Sequence, residues 1–94
     1  MTLTEAKLNL RIDTNDNDEL IQSLVNSLPD YIYLTTGMKE TDQASEPLVN
    51  TVSGFLLTLW YYGDHTDDVK LQRTIDNLLK AISLKVKTLN QEES

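Results

Sequence analysis

The hydrophobic positions in this 94-residue chain recur at intervals of three and four residues, which indicates helices rather than strands. The first segment of this kind is a short helix over about Leu3–Leu10. Thr2 and Glu5 have the spacing of a capping box, in which each side chain accepts a hydrogen bond from the backbone of the other residue. Three longer segments follow. The pattern therefore predicts an all-α fold, a compact bundle of about four helices.

The second helix is predicted to begin with Asp16 as its N-cap, because Glu19 follows three residues later. Gly37 supplies the left-handed residue that ends it. Pro29 lies inside and removes one backbone hydrogen bond, so we expect a kink or a break near Val25–Leu28. A broad apolar face of this helix is expected to contact the core, and it contains Leu20, Ile21, Leu24, Val25, Leu28, Tyr31 and Ile32.

A polar connection precedes the third helix, whose start is marked by Ser45 and Pro47. This helix is apolar on two sides, because Leu57 and Tyr61 project away from the face that carries most of its apolar residues. Such a helix lies either at the centre of a fold or at an interface.

Three consecutive aromatic residues, Trp60, Tyr61 and Tyr62, lie near the end of the third helix. Aromatic residues at helical spacing are most often core residues, and Tyr62 suits that role. Consecutive helical residues point in different directions, however, so the three cannot all face one core. Because Trp and Tyr are frequent anchors of protein interfaces, Leu57, Trp60 and Tyr61 are candidate subunit-interface residues.

The fourth helix is strongly amphipathic, with an apolar stripe over Leu71–Leu89 and basic residues on the opposite side. Such a basic face is usually only solvated, but it can also dock an acidic partner surface. Leu84 lies among the bases and favours docking. The candidate docking residues are Lys70, Arg73, Lys80 and Lys87. We expect a single domain over residues 1–94, with residues 90–94 as a disordered tail.

The net charge of −7 is unevenly distributed along the chain. Residues 1–68 contain twelve acids and three bases, whereas residues 69–89 contain five bases and one acid. An acidic protein of this kind does not wrap nucleic acid by neutralising phosphates. The polarity favours complementary contacts between copies, or with a charged partner.

The stretch RIDTNDNDELI contains a partial match to a calcium-binding loop. Asp13, Asn15 and Asn17 occupy the first three ligand positions of that loop. The match fails at the sixth position, where Asp18 replaces Gly, and at the twelfth, where Leu24 replaces Glu. We therefore interpret the stretch as a turn between two helices and predict no metal site.

The sequence offers little for other chemistry. It has no Cys, and its one His, His65, lies in an acidic turn without a second metal ligand or a nucleophile nearby. The three glycines are scattered singly, so no phosphate-binding loop is present. We expect no enzymatic activity and no cofactor. The apolar run at Phe55–Trp60 is also far shorter than the ~18 residues of a membrane span, so no membrane association is expected.

Two segments resemble the small head-tail connector, adaptor or neck proteins of tailed bacteriophages and prophages. They are MTLTEAKLNLRIDTNDNDELIQSLVNSLPDYIYLTTG and VSGFLLTLWYYGD. Members have a Leu-Arg-Ile/Val-Asp segment after a short capped helix, here Leu10–Asp13. They also have a Thr-Thr-Gly helix end, here Thr35–Gly37, and an aromatic pair, here Trp60 and Tyr61. The resemblance covers most of residues 2–63. Pro29 departs from the uninterrupted second helix of the family, and the fourth helix matches only in type.

The resemblance implies a structural virion protein at the head-tail junction, assembled in the host bacterial cytoplasm. Its copies are expected to form a ring of twelve in the virion, docked under the portal protein and in contact with a downstream neck or tail-completion protein. DNA would pass through the ring without sequence-specific binding. The alternative is a small acidic helical binding module, either a dimeric regulator or an inhibitor that mimics DNA.

Overall fold

The structure is a computed structural model that describes residues 1–63 and 69–92. Over these ranges the chain forms five helices and no strands, which confirms the all-α prediction. The helices are α1 (Leu3–Leu10), α2 (Asp18–Thr36), α3 (Glu40–Gln43), α4 (Pro47–Tyr61) and α5 (Val69–Glu92). The predicted acidic turn and His65 lie outside the described residues.

Helix α1 has the predicted bounds because its ends are closed by local hydrogen bonds. The Thr2 backbone N–H donates to Glu5 Oε1 at 2.9 Å, and the Glu5 N–H donates to Thr2 Oγ1 at 3.1 Å. The Thr2 backbone N–H, together with the Thr2 hydroxyl, holds the pKa of Glu5 below its ordinary value. At the other end Arg11 adopts a left-handed conformation with φ 60°, and its N–H donates to the Leu8 carbonyl at 3.2 Å.

Helix α2 begins later than the sequence predicts. Its N-cap is Asn17 rather than Asp16, and the Asn17 side chain accepts no capping hydrogen bond. The Asn17 amide instead donates to the Tyr61 hydroxyl at 2.7 Å, which is a contact with α4. Glu19 lies in the first turn, as expected for an acidic residue at a helix N-terminus. The Asn17 side chain therefore contributes to a contact between α2 and α4 and not to a capping hydrogen bond of α2.

The helix then continues through Pro29 without a break and ends at Gly37, which has the left-handed φ of 83°. The Gly37 N–H donates to the Tyr33 carbonyl at 2.8 Å. The sequence correctly identified this end because a left-handed C-terminal residue is a strong local signal for glycine.

The connection between α2 and α4 contains one helical turn, α3, that the sequence pattern did not predict. Its Gln43 is buried, and its Nε2 donates to the Pro29 carbonyl at 3.0 Å and to the Met38 carbonyl at 2.9 Å. A four-residue polar segment has no hydrophobic period to detect. The Gln43 hydrogen bonds therefore attach the connection to α2, in addition to the apolar packing of buried Met38 in the core.

Helix α4 lies between two hydrophobic clusters formed by the described residues. One contains Val52 and Leu56 together with residues of α2 and α5, and the other contains Leu57 together with residues of α1 and α2. Leu57 is 0% exposed. The two-sided apolar pattern of this helix therefore reflects a central position within one chain, because α1 covers its second side.

The ends of α4 and α5 also differ from the prediction. Glu46, not Ser45, is the N-cap of α4, and Pro47 is in its first turn. Helix α5 continues to Glu92, so the predicted tail over residues 90–94 is helical through residue 92. Buried Ile75 and Ile82 attach α5 to the cluster shared with α2 and α4.

Candidate assembly surfaces

The aromatic end of α4 is mostly occupied by contacts within the chain. The Trp60 ring meets the Tyr31 ring of α2 edge to face, with centroids 5.2 Å apart and an interplanar angle of 89°. Tyr61 and Tyr62 form a second edge-to-face pair, with centroids 4.8 Å apart. The Tyr62 hydroxyl donates to the Leu10 carbonyl at 2.9 Å. These contacts attach the end of α4 to α1 and α2.

The three candidate interface residues therefore differ in how much surface they offer. Leu57 is buried in the core, which is incompatible with the interface role that its position on the helix suggested. Tyr61 is half-buried, and its hydroxyl accepts the hydrogen bond from Asn17. Trp60 is half-buried and lines a shallow groove on the surface of α2. A contact between Trp60 or Tyr61 and a second copy stays a prediction.

The groove beside Trp60 has a volume of about 470 Å³ and lies along α2. It belongs to a row of α2 residues spaced by four, three, four and three residues, which we name the α2 outer stripe: Leu20, Leu24, Ser27, Tyr31 and Leu34. Leu20 is 52% exposed and Leu34 is 73% exposed. The helical period predicts Leu20 on the core face, but the buried residues of that face are Ile21, Val25, Leu28 and Ile32.

The candidate basic face of α5 is exposed in the structure. Lys70, Arg73, Lys80 and Lys87 are all exposed. Leu84 lies among them and is 56% exposed. Within the described ranges, Arg73, Lys80 and Lys87 make no ion pair. We name as the α5 outer stripe the row Arg73, Asn77, Lys80, Leu84 and Lys87, which repeats the spacing of the α2 outer stripe.

A different α5 base, Lys85, contacts α4. Its Nζ lies 2.9 Å from Glu46 Oε1 and 3.0 Å from Glu46 Oε2. Glu46 Oε1 also accepts from the Leu48 N–H at 3.2 Å, which caps α4. The hydrogen bond from Lys85, and then the one from Leu48, hold the pKa of Glu46 below its ordinary value. Lys85 is therefore a structural base, distinct from the outer stripe.

Residues of the Asp- and Asn-rich stretch at the start of α2 contact the ammonium group of Lys7. Lys7 Nζ donates to Asn15 Oδ1 at 2.7 Å and lies 2.9 Å from Asp18 Oδ1. Lys7 of α1 therefore places a positive charge beside two residues of the stretch that partly matches a calcium-binding loop. In residues 1–63 and 69–92, no group of three or more His, Cys, Asp or Glu side chains is arranged to hold a metal ion.

None of the helices in residues 1–63 and 69–92 has both the length and the apolar character that a membrane span requires. These features define a small helical protein with two long stripes at its surface, a largely apolar and partly exposed one on α2 and an exposed basic one on α5. Such stripes suit contacts with other proteins.

The chain belongs to the phage gp6-like head-tail connector protein family, whose model matches residues 1–89. This match confirms the family resemblance seen in the sequence and extends it into α5. No curated protein and no solved structure matches the chain significantly. Membership makes the protein a structural component of phage assembly at the head-tail junction.

Proposed function

We propose that this protein is a subunit of a ring that docks under the portal, extends the DNA channel and joins capsid to tail. Its copies, twelve in the virion, assemble in the host bacterial cytoplasm and present a surface to the next neck or tail-completion protein. The observation that carries the proposal is the family match over residues 1–89. Both exposed stripes of the chain suit a protein that acts by binding neighbours.

The charge distribution supports a head-to-tail arrangement of the copies. A ring needs two different patches on each subunit, one for each neighbour. The exposed bases of α5 supply one patch, and the acidic residues of the first two thirds of the chain supply a complementary surface. Acidic residues left outside the contacts would repel phosphate, so DNA would move through the channel without adhering to it.

The test is the size of the assembly, measured by native mass spectrometry on the protein alone and mixed with the portal protein. A ring in either sample supports the proposal. A stable dimer without affinity for the portal would support the alternative of a small binding module. A protein that stays monomeric even with the portal would overturn the ring proposal.

The charged contact is tested separately with the double variant Lys80→Glu and Lys87→Glu. We expect weaker ring formation, most visibly at low salt, because exposed charges are screened as the salt concentration rises. A matched pair of single variants, Lys80→Glu on α5 and Lys39→Glu just before α3, changes the net charge equally at two different places. Circular dichroism verifies that each variant is folded. Unchanged assembly of the double variant at low salt would contradict a role for the basic face.

A further inference from the structure

The α2 outer stripe leaves apolar surface open although α2 already has a complete buried face: Leu20 and Leu34 are exposed, and Leu24 and Tyr31 are only partly buried. Leu20 and Leu34 lie near opposite ends of the helix, and Leu24, Tyr31 and Trp60 line the groove between them. Singly exposed leucines need no explanation, but two exposed leucines in one row with a groove lined by Leu24, Tyr31 and Trp60 suit a contact surface. The alternating spacing of four and three is that of helices that pack side by side along their length.

Acidic residues border the α2 outer stripe. Asp30 lines the groove together with Ser27 and Trp60, and Glu19 lies next to Leu20 in the first turn. Both acids are exposed. A partner that suits this surface therefore combines positive charge with apolar groups that can cover the groove.

The α5 outer stripe has these properties. It has the same spacing and length as the α2 outer stripe, with Leu84 inside it and with Arg73, Lys80 and Lys87 along it. Long basic side chains cover apolar surface with their methylene groups while their charged ends reach neighbouring acids. Lys80 is the middle residue of its stripe, as Ser27 is of the other.

We propose that the α2 outer stripe of one copy receives the α5 outer stripe of a second copy, and that this contact is the subunit interface of the ring. The inference rests on the proposed ring function and names the surfaces that form it. Pairing α2 with α2 would instead bring Glu19 and Asp30 of the two copies together, and like charges oppose such a contact. Because the two stripes differ, a pair of copies keeps one free stripe of each kind, so further copies can add head to tail. Such growth closes into a ring when the rotation between neighbouring copies divides a full turn.

The contact is tested by disulfide cross-linking, for which the chain is suited because it has no native cysteine. Ser27 and Lys80 are replaced by cysteine because they are the central residues of the two stripes, so their pairing does not depend on whether the helices run parallel or antiparallel. Cysteines form a disulfide only when their Cα atoms lie within about 7 Å. The variant carrying both cysteines should give a ladder of covalent oligomers in the assembled state, under oxidation.

The single variants Ser27→Cys and Lys80→Cys should give no ladder, and a mixture of the two should give only a covalent dimer. The control pairs Thr41→Cys, an exposed position on α3, with Lys80→Cys and should not cross-link. Efficient dimers of Ser27→Cys alone would overturn the proposal in favour of a two-fold contact between α2 helices. Rings that form without a Ser27–Lys80 cross-link would overturn the interface but leave the ring function intact.

A charge exchange gives an independent test. Asp30→Lys and Lys80→Glu should each reduce the fraction of protein in rings at low salt at least tenfold, and the variant carrying both should recover most of it. The double variant also restores the net charge, so the control combines Asp30→Lys with Lys39→Glu, which restores the same net charge at an exposed position outside both stripes and should give no recovery. Equal loss in the double variant would overturn the proposed pairing, and the absence of rings in the unmodified protein would overturn the ring function itself.

Discussion

The Tyr62 hydroxyl donates a hydrogen bond to the Leu10 carbonyl at 2.9 Å, across 52 positions of the chain. Leu10 is the last residue of α1, where backbone carbonyls have no partner within the helix. The bond therefore supplies an acceptor at the end of α1 with a donor from the end of α4. It holds α1, the shorter of the two terminal helices, against the central helix α4.

We expect Tyr62→Phe to lower the free energy of unfolding by about 0.5–1.5 kcal/mol, because it removes this donor and retains the ring. Urea unfolding followed by circular dichroism, at a protein concentration where no assembly forms, measures the change. Tyr33→Phe is the matched control, since Tyr33 is exposed on α2 and should shift stability by no more than about 0.5 kcal/mol. Equal effects of the two variants would show that the Leu10 contact contributes nothing.

Gly54 and Asn9 form a second contact between α1 and α4. Asn9 Nδ2 donates to the Gly54 carbonyl at 3.0 Å, and a Cβ added at Gly54 would lie 2.9 Å from Asn9 Oδ1. In an Asn9→Ala background, we expect Gly54→Ala to stabilise the protein by about 1 kcal/mol through its higher helix propensity. With Asn9 present the gain should be smaller or reversed, because the amide must move and lose its hydrogen bond. A double-mutant cycle in urea measures this coupling, and additive effects would contradict it.

Glu46 should make the stability of the protein sensitive to acid. Because Lys85 and the Leu48 N–H lower the pKa of Glu46 in the folded state, its contribution is complete above the unfolded pKa of about 4.3. The contribution is lost as the pH falls through the lower folded value. We therefore expect the stability difference between the unmodified protein and Glu46→Gln to be largest near neutral pH and to shrink below about pH 4.

Urea unfolding at a series of pH values measures that difference. Repeating it in a Lys85→Gln background is the control, and the pH dependence should become weaker without vanishing because the Leu48 hydrogen bond remains. A difference that is constant between neutral pH and pH 3 would contradict the assignment. At neutral pH its size should be about 1 kcal/mol or less, since Lys85 is half-exposed.

Substitutions of Leu57 and Leu34 are expected to affect two different properties, the stability of the monomer and its assembly. Leu57 is fully buried, so Leu57→Ala should lower the free energy of unfolding of the monomer by about 2–5 kcal/mol. Leu34 is 73% exposed, so Leu34→Ala should leave monomer stability within about 0.5 kcal/mol and reduce assembly. Urea unfolding and native mass spectrometry measure the two properties. A large loss of monomer stability in Leu34→Ala would place that side chain in the core rather than at a contact surface.

The sequence by itself determined the helical class, the bounds of α1, the end of α2 at Gly37 and the resemblance to the connector family. These features depend on hydrophobic period, on the Thr2–Glu5 capping box and on a left-handed glycine, and each of them acts within a few residues of chain.

Tertiary structure alone decided which of the apolar residues are buried and which side chains have partners far along the chain. Leu57 became a core residue because α1 covers the second side of α4, and Leu20 became exposed because the core of α2 is centred on other residues. Asn17 is the N-cap residue of α2, but its side chain makes no capping hydrogen bond and its amide donates instead to the Tyr61 hydroxyl, 44 positions away. Hydrophobic period defines the faces of a helix, but the neighbours that cover each face are set by the packing of the whole chain.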